Sequence, residues 1–298
     1  MEKKNNKKEY KNMTVFNIEE YLNSLPDDIE NIDVSYKIIT YLPDLSRFKK
    51  LKILNCYYNK LTLLPVLNET LQYLNCVGNK LRSLPVLNNN LRELHCCYNQ
   101  LKSLPILNKK LERLYASGNK LTSLPVLPNN LQILDCSNNE LKSLPVLPDK
   151  LRILSCYNNQ LTSLPILNKD LEELYCYDNK LIWLPALNEN LNVLYCCDNQ
   201  LTLLPILNEK LKEILCHNNN LLSIFDYYNS LMRNNVHKID ILKRKTKILN
   251  NFRYLYYCLK YKKRFLKLME PIIKKRYHPS YLDKLTEDDN LDEILEAW

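Results

Sequence analysis

Leucine recurs along this chain at intervals that repeat every 20 residues. From Leu51 the sequence reads LKILNCYYNKLTLLPVLNET, and from Leu71 LQYLNCVGNKLRSLPVLNNN. The same frame restarts at Leu91, Leu111, Leu131, Leu151, Leu171 and Leu191. The consensus is LxxLxCxxNxLxxLPxLNxx, with position 1 at Leu51 and its equivalents. A 22-residue unit precedes the series from Ile29, with two extra residues near Ser46–Lys50, and a last unit begins at Leu211. Ten units thus run from Ile29 to about Phe225.

The pattern within one unit predicts its local structure. Apolar residues at positions 4 and 6 are separated by one residue, which is strand spacing. The strand is expected over roughly positions 3 to 7. Position 9 is Asn in nine units: Asn59, Asn79, Asn99, Asn119, Asn139, Asn159, Asn179, Asn199 and Asn219. Asn tolerates unusual dihedrals and bonds backbone groups, so it is expected to close the turn after each strand and to form a ladder. Leu at positions 11, 14 and 17 fills the core from the other side. Pro at position 15 resists a helix, and the return is too short for an average one. An extended or polyproline-like convex side follows. One unit cannot bury its leucines alone, so neighbours stack and their strands form one parallel sheet on a concave face.

The motif resembles leucine-rich repeats, specifically the short 20-residue type of bacterial effector proteins. Cys at position 6, in place of an aliphatic residue, looks more like the leucine-rich-repeat proteins of giant DNA viruses of amoebae, as does the segment RYHPSYL in the tail. The resemblance implies an α/β solenoid, a leucine-rich-repeat horseshoe with a helical C-terminal cap, and a role in protein interaction. The expected organisation is a disordered 1–16, an N-terminal cap over 17–28, repeats over 29–226 and a basic helical tail over 227–298.

Composition narrows the chemistry. Two glycines, Gly78 and Gly118, leave no dinucleotide fingerprint, P-loop or kinase loop. Both read as ordinary variants of position 8. The start MEKKNNKKEYKNMTVF lacks a secretory pattern and no stretch of the sequence is apolar enough to span a membrane, so a cytoplasmic location, in a host cell or virion, is expected. Eleven cysteines without any Cys-x-x-Cys argue against a structural zinc site. Eight of them occupy position 6: Cys56, Cys76, Cys96, Cys136, Cys156, Cys176, Cys196 and Cys216. Ala116 fills the missing rung. They read as small buried hydrophobes rather than redox or metal groups. Cys97 and Cys197 fall at position 7, near His95 and His217. A Cys–His nucleophile is one reading, and two neighbouring polar surface residues the other. No metal, cofactor or catalytic residue is expected.

Positions 3, 5, 7 and 8 are expected to face outward. They carry Tyr57, Tyr58, Tyr73, Tyr98, Tyr115, Tyr157, Tyr175, Tyr177 and Tyr195. Tyr gives large contact area at small entropic cost, so this face is the expected protein-binding surface, with Tyr157, Tyr175, Tyr177 and Tyr195 in one cluster. Strand propensity alone is the competing explanation. Residues 51–130 carry a net charge of +7 and residues 131–226 one of −5. The position-8 run Asn138, Asn158, Asp178, Asp198 and Asn218 is either a Ca²⁺-type oxygen ladder or a solvated edge.

The tail is helical in pattern, with Val236, Ile239, Leu242, Leu249, Phe252, Leu255 and Leu259 on one face. Pro271 and Pro279 break the run, and Thr286 and Asp289 form a possible capping box before Leu291, Leu295 and Trp298. Leu222, Ile224 and Phe225 are expected to join tail to stack. Residues 233–276 hold fifteen basic and two acidic side chains. They either cap the stack with a solvated basic face or meet nucleic acid or an anionic membrane, through Lys243, Arg244, Lys245, Lys262, Lys263 and Arg264. Bacterial ubiquitin ligases with similar repeats use a Cys-x-Asp nucleophile. Here Cys258 is followed by Leu259 and Lys260, so an enzyme is not expected, although an adaptor for a separate ligase is compatible. A monomer binding no small-molecule substrate is expected.

Overall fold

The computed structural model describes residues 16–221, 239–248 and 250–251. Val236, Leu249, Phe252, Leu255, Leu259, Cys258, the 222–238 junction, Lys262, Lys263, Arg264 and everything C-terminal to them lie outside the described residues. The chain divides into two compact units, Met1–Thr246 and Lys247–Trp298, and the first contains the repeats.

The fold is a solenoid built on one parallel sheet of ten three-residue strands in sequential order. They are β1 (Asn31–Asp33), β2 (Ile53–Asn55), β3 (Tyr73–Asn75), β4 (Glu93–His95), β5 (Arg113–Tyr115), β6 (Ile133–Asp135), β7 (Ile153–Ser155), β8 (Glu173–Tyr175), β9 (Val193–Tyr195) and β10 (Glu213–Leu215). Each residue pairs with the one at the same position in the next unit, without slip, as in Leu74 opposite Leu94. Formal strand covers positions 3 to 5, but rung-to-rung bonding continues to position 8. Cys56 N donates to Asn75 O and Tyr58 N to Val77 O, both at 2.8 Å. Positions 1, 4, 6 and 11 are sealed, with Leu51, Leu54, Cys56 and Leu61 all at 0% exposure. Beyond position 11 the return carries neither helix nor strand in any described unit, as its prolines require.

The turn after each strand is organised differently from the expectation. The left-handed residue is position 8, not the Asn at position 9. Tyr58, Gly78, Tyr98, Gly118, Asn138, Asn158, Asp178, Asp198 and Asn218 all have φ between 50° and 67°. Gly78 and Gly118 therefore occupy a conformation that favours glycine. Asn at position 9 is the internal bond-maker instead. Asn99 Nδ2 donates to Cys76 O, Cys96 O and Cys97 O at 3.0, 3.2 and 3.1 Å. Its Oδ1 accepts from Leu81 N at 3.0 Å. The same set recurs from Asn79 to Asn219. A second, interrupted ladder runs through position 18, where Asn88, Asn188 and Asn208 each donate to the main-chain oxygen of the preceding unit's Asn.

The first rung is covered by helix α1 (Ile18–Asn23), with Asn17 as N-cap accepting from Glu19 N and Glu20 N. The longer first unit places Phe48 at 0% exposure. Arg47 lies over that ring at 4.4 Å and bonds Asp27 and Leu25 O, tying the end of α1 to the stack. At the other end residues 239–248 are helical. Ile239, Leu242 and Thr246 are buried, and Lys243 Nζ donates to Glu209 O at 2.8 Å. Residues 239–246 belong to the same unit as the repeats and are tied to them through Lys243.

Candidate functional site

Side chains at positions 3 and 5 alternate away from the core, as strand geometry demands. In-register stacking lines them up as columns across the sheet. Near the N-terminal end, Tyr36 stacks on Tyr58 with centroids 5.0 Å apart, and Tyr57 meets both edge-on. Tyr36 was not among the expected face residues because it sits in the irregular first unit. Counting eight from Ile29 places it in the position-8 column.

In the middle, His95 lies between Tyr73 at 5.2 Å and Tyr115 at 4.4 Å. Its Nε2 is 2.7 Å from Glu93 Oε1, and Arg113 Nη1 donates to Glu93 Oε2 at 2.9 Å. Desolvation opposes ionisation of Glu93, but bonds from His95 and Arg113 outweigh it and hold the carboxyl below its ordinary value.

In the C-terminal half the four expected tyrosines form two ring pairs on adjoining columns. Tyr157 and Tyr177 stack at 4.4 Å and 6°. Tyr175 and Tyr195 meet edge-on at 5.1 Å. Their hydroxyls donate to Glu173 Oε2 and Glu213 Oε2, both at 2.8 Å. Burial, then the bond to Glu173, raises the Tyr175 pKa; burial and the neighbouring Tyr157 push that of Tyr177 up to about 12. Tyr175 and Tyr177 therefore stay neutral at physiological pH. Tyr98 is exposed, with its ring over Gly118.

The cysteines behave as a core column. All ten described cysteines are free and buried. Burial raises the thiol pKa at every rung, to about 12 at Cys56 and Cys216. Cys76 Sγ donates to His95 O at 3.3 Å. Cys97 and Cys197 are buried too, at 8% and 6% exposure, which corrects their reading as surface residues. The left-handed turn at position 8 draws short side chains at position 7 below the level of positions 3 and 5. Ser117 and Ser137 share this burial.

The position-8 amides and carboxylates are used against one another. Asn158 Nδ2 donates to Asn138 Oδ1 at 2.8 Å, and Asn218 Nδ2 to Asp198 Oδ1 at 2.7 Å. A different donor set gathers beside that column: one ligand atom each from Cys197, Asp198 and His217 lies within 4.8 Å of the others. Burial, then a bond with Asp198, pushes the Cys197 thiol up to about 12.

Of the basic residues singled out in the sequence, Lys243 has its side chain 11% exposed, with its ammonium on Glu209 O and 3.9 Å from Asp240. Arg244 and Lys245 share its helix. Away from the sheet, position 16 presents an apolar ridge that the sequence pattern did not single out: Val86, Ile106, Val126, Val146 and Ile166 are 86–89% exposed. Each follows the proline, where a β-branched side chain stiffens extended backbone.

A parallel sheet one strand per turn, sealed leucine columns and an asparagine ladder define a leucine-rich-repeat solenoid. A family model for leucine rich repeats (2 copies) matches residues 89–129 and 109–149. Among solved structures the chain is similar to YopM from Yersinia enterocolitica WA-314. They are 37% identical over 66% of this chain and 48% of that one, with a TM-score of 0.61. YopM from Yersinia pestis, described as a leucine-rich effector protein, is 32% identical over 64% and 56%, with a TM-score of 0.62. The chain therefore spans about half the length of these solved chains. The LRIM1 leucine-rich repeat domain, 17% identical over 73% and 75% with a TM-score of 0.53, shares the fold. Nothing among the curated proteins matches the chain. No helix among the described residues is long and apolar enough to cross a membrane.

Proposed function

We propose that this chain is a non-catalytic protein-interaction module whose partner, a host protein, binds the tyrosine-lined concave face. The observation that carries this reading is the fixed placement of its rings. Tyr157 and Tyr177 stack on each other, while the Tyr175 and Tyr195 hydroxyls are tied to carboxylates on the same sheet. Rings already held in place lose little entropy on binding, and each offers a large amphipathic surface. The charge change from +7 to −5 along the repeats orients a partner of opposite polarity. The effector-like relatives support a host target by analogy of fold.

The test is retention of proteins from host lysate by the full chain and by a variant with Tyr157, Tyr175, Tyr177 and Tyr195 replaced by Ala. The reading expects specific proteins lost with the variant. If the variant retains the same proteins, the tyrosine face is not the binding surface. Binding that survives those changes and disappears on neutralising Lys243, Arg244, Lys245, Lys262, Lys263 and Arg264 would assign it to the basic tail and an anionic surface instead.

A further inference from the structure

The donor cluster beside the last rungs breaks the repeat in one place. Position 7 followed by position 8 and by position 7 of the next unit reads Cys197, Asp198, His217. No other consecutive pair of units places Cys, Asp and His at these positions. Consecutive residues of a strand point to opposite faces. Here Asp198 has φ 53°, and this left-handed turn brings its carboxylate alongside the Cys197 thiol. The next rung supplies His217, held in register by Asp198 N donating to His217 O at 3.0 Å and Asn199 N to Asn218 O at 3.2 Å.

We propose that Cys197 Sγ, an Asp198 carboxylate oxygen and a His217 ring nitrogen form a zinc site with one open coordination position. The donor set of sulfur, nitrogen and oxygen suits zinc and disfavours calcium or magnesium, which prefer oxygen alone. Zinc bound to thiolate at about 2.3 Å and to imidazole at about 2.0 Å sets its ligand atoms about 3.5 Å apart. The three atoms lie within 4.8 Å of one another, with His217 Nε2 3.9 Å from Asp198 Oδ2. Side-chain rotations of about 1 Å close that gap without moving the backbone.

The carboxylate is already oriented. Asn218 Nδ2 holds Asp198 Oδ1 at 2.7 Å, leaving Oδ2 toward His217, the outer-shell support that metal carboxylates generally have. The thiol lies beneath, 6% exposed, while the imidazole and carboxylate side chains are 28% and 43% exposed. The fourth position therefore opens to solvent and takes water. The repeat places Cys197 beside His217, but the carboxylate between them depends on the position-8 turn, which the spacing does not show.

The full chain, stripped of metal and kept reduced, is titrated with zinc by equilibrium dialysis and with cobalt(II) by absorption. The expected result is one tightly bound zinc per chain and a thiolate-to-cobalt charge-transfer band. Cys197→Ser abolishes the band, and His217→Gln and Asp198→Asn each weaken zinc binding at least tenfold. Cys97→Ser, at the same position of another unit, changes neither. His217 and Asp198 are partly exposed, so those two variants keep the test valid if Cys197→Ser folds poorly. No band with the native chain, or zinc binding unchanged in both His217→Gln and Asp198→Asn, overturns the proposal.

Discussion

The ring of Tyr58 lies over Gly78. A Cβ on Gly78 would stand 2.6 Å from Tyr58 Cδ1, and Gly118 stands in the same relation to Tyr98 at 2.7 Å. The two glycines serve two needs at once: a left-handed turn and room for the preceding ring. Gly78→Ala is expected to destabilise the fold by about 1–3 kcal/mol. In a Tyr58→Ala background the same change should cost only about 1 kcal/mol, since only the backbone strain remains. A double-mutant cycle by urea denaturation measures the difference; equal costs in both backgrounds would contradict the steric account.

The position-9 ladder makes a second prediction. Asn99→Ala takes one donor each from the carbonyls of Cys76, Cys96 and Cys97, which keep Asn79 Nδ2, Asn119 Nδ2 and Gly78 N, and it leaves the Leu81 N–H without a partner. A loss of roughly 1–3 kcal/mol is expected, because a buried unpaired backbone N–H is costly. Asn99→Asp should be no better at neutral pH, since a carboxylate keeps the acceptor but sets charge against three carbonyls. Denaturation midpoints of the two variants decide this.

Alkaline pH should weaken the stack. The rung thiols ionise near 9.0 when unfolded, but burial raises them when folded, to about 12 at Cys56 and Cys216. A group with a raised folded pKa contributes stability fully below its unfolded value. That contribution is lost as pH rises from about 9 toward the folded value. Each thiol adds a slope of about 1.4 kcal/mol per pH unit in that window. Cys76→Ala should make the loss between about pH 9 and about pH 10 shallower, with its fold intact because Ala116 already occupies a rung at 0% exposure. Urea midpoints across that range provide the check.

Ile38 has φ 61° and is 61% exposed. It borders an open groove with Phe16, Tyr21, Tyr36 and Tyr41. A β-branched residue is strained in this conformation. Ile38→Gly is expected to raise stability by about 1 kcal/mol despite the added freedom of the unfolded chain. A lower melting temperature in the variant would show that packing in the groove outweighs the strain.

Much of this architecture is legible in the sequence because the repeat samples each position many times. Leu at positions 1, 4 and 11 and Cys at position 6 identify the buried columns without ambiguity. The turn was harder. Asn at position 9 is uniform and invites the left-handed assignment, whereas position 8 mixes Tyr, Gly, Asn and Asp and hides its shared dihedral. Burial of Cys97 and Cys197 was missed for the same reason, since simple alternation ignores the turn that follows. Ring pairing across rungs follows from register, but which rings stack and which meet edge-on depends on side-chain rotation that periodicity does not encode.

The unslipped register between units has a consequence for how such a chain changes over generations. Asn99 meets its neighbours as Asn139 and Asn179 meet theirs, so an interior turn is bound by the same contacts wherever it lies. An in-frame duplication or loss of one whole unit rejoins surfaces that already fit. The reach of the concave face is thus open to heredity as a count, while the irregular first unit stands outside that count as a fixed end.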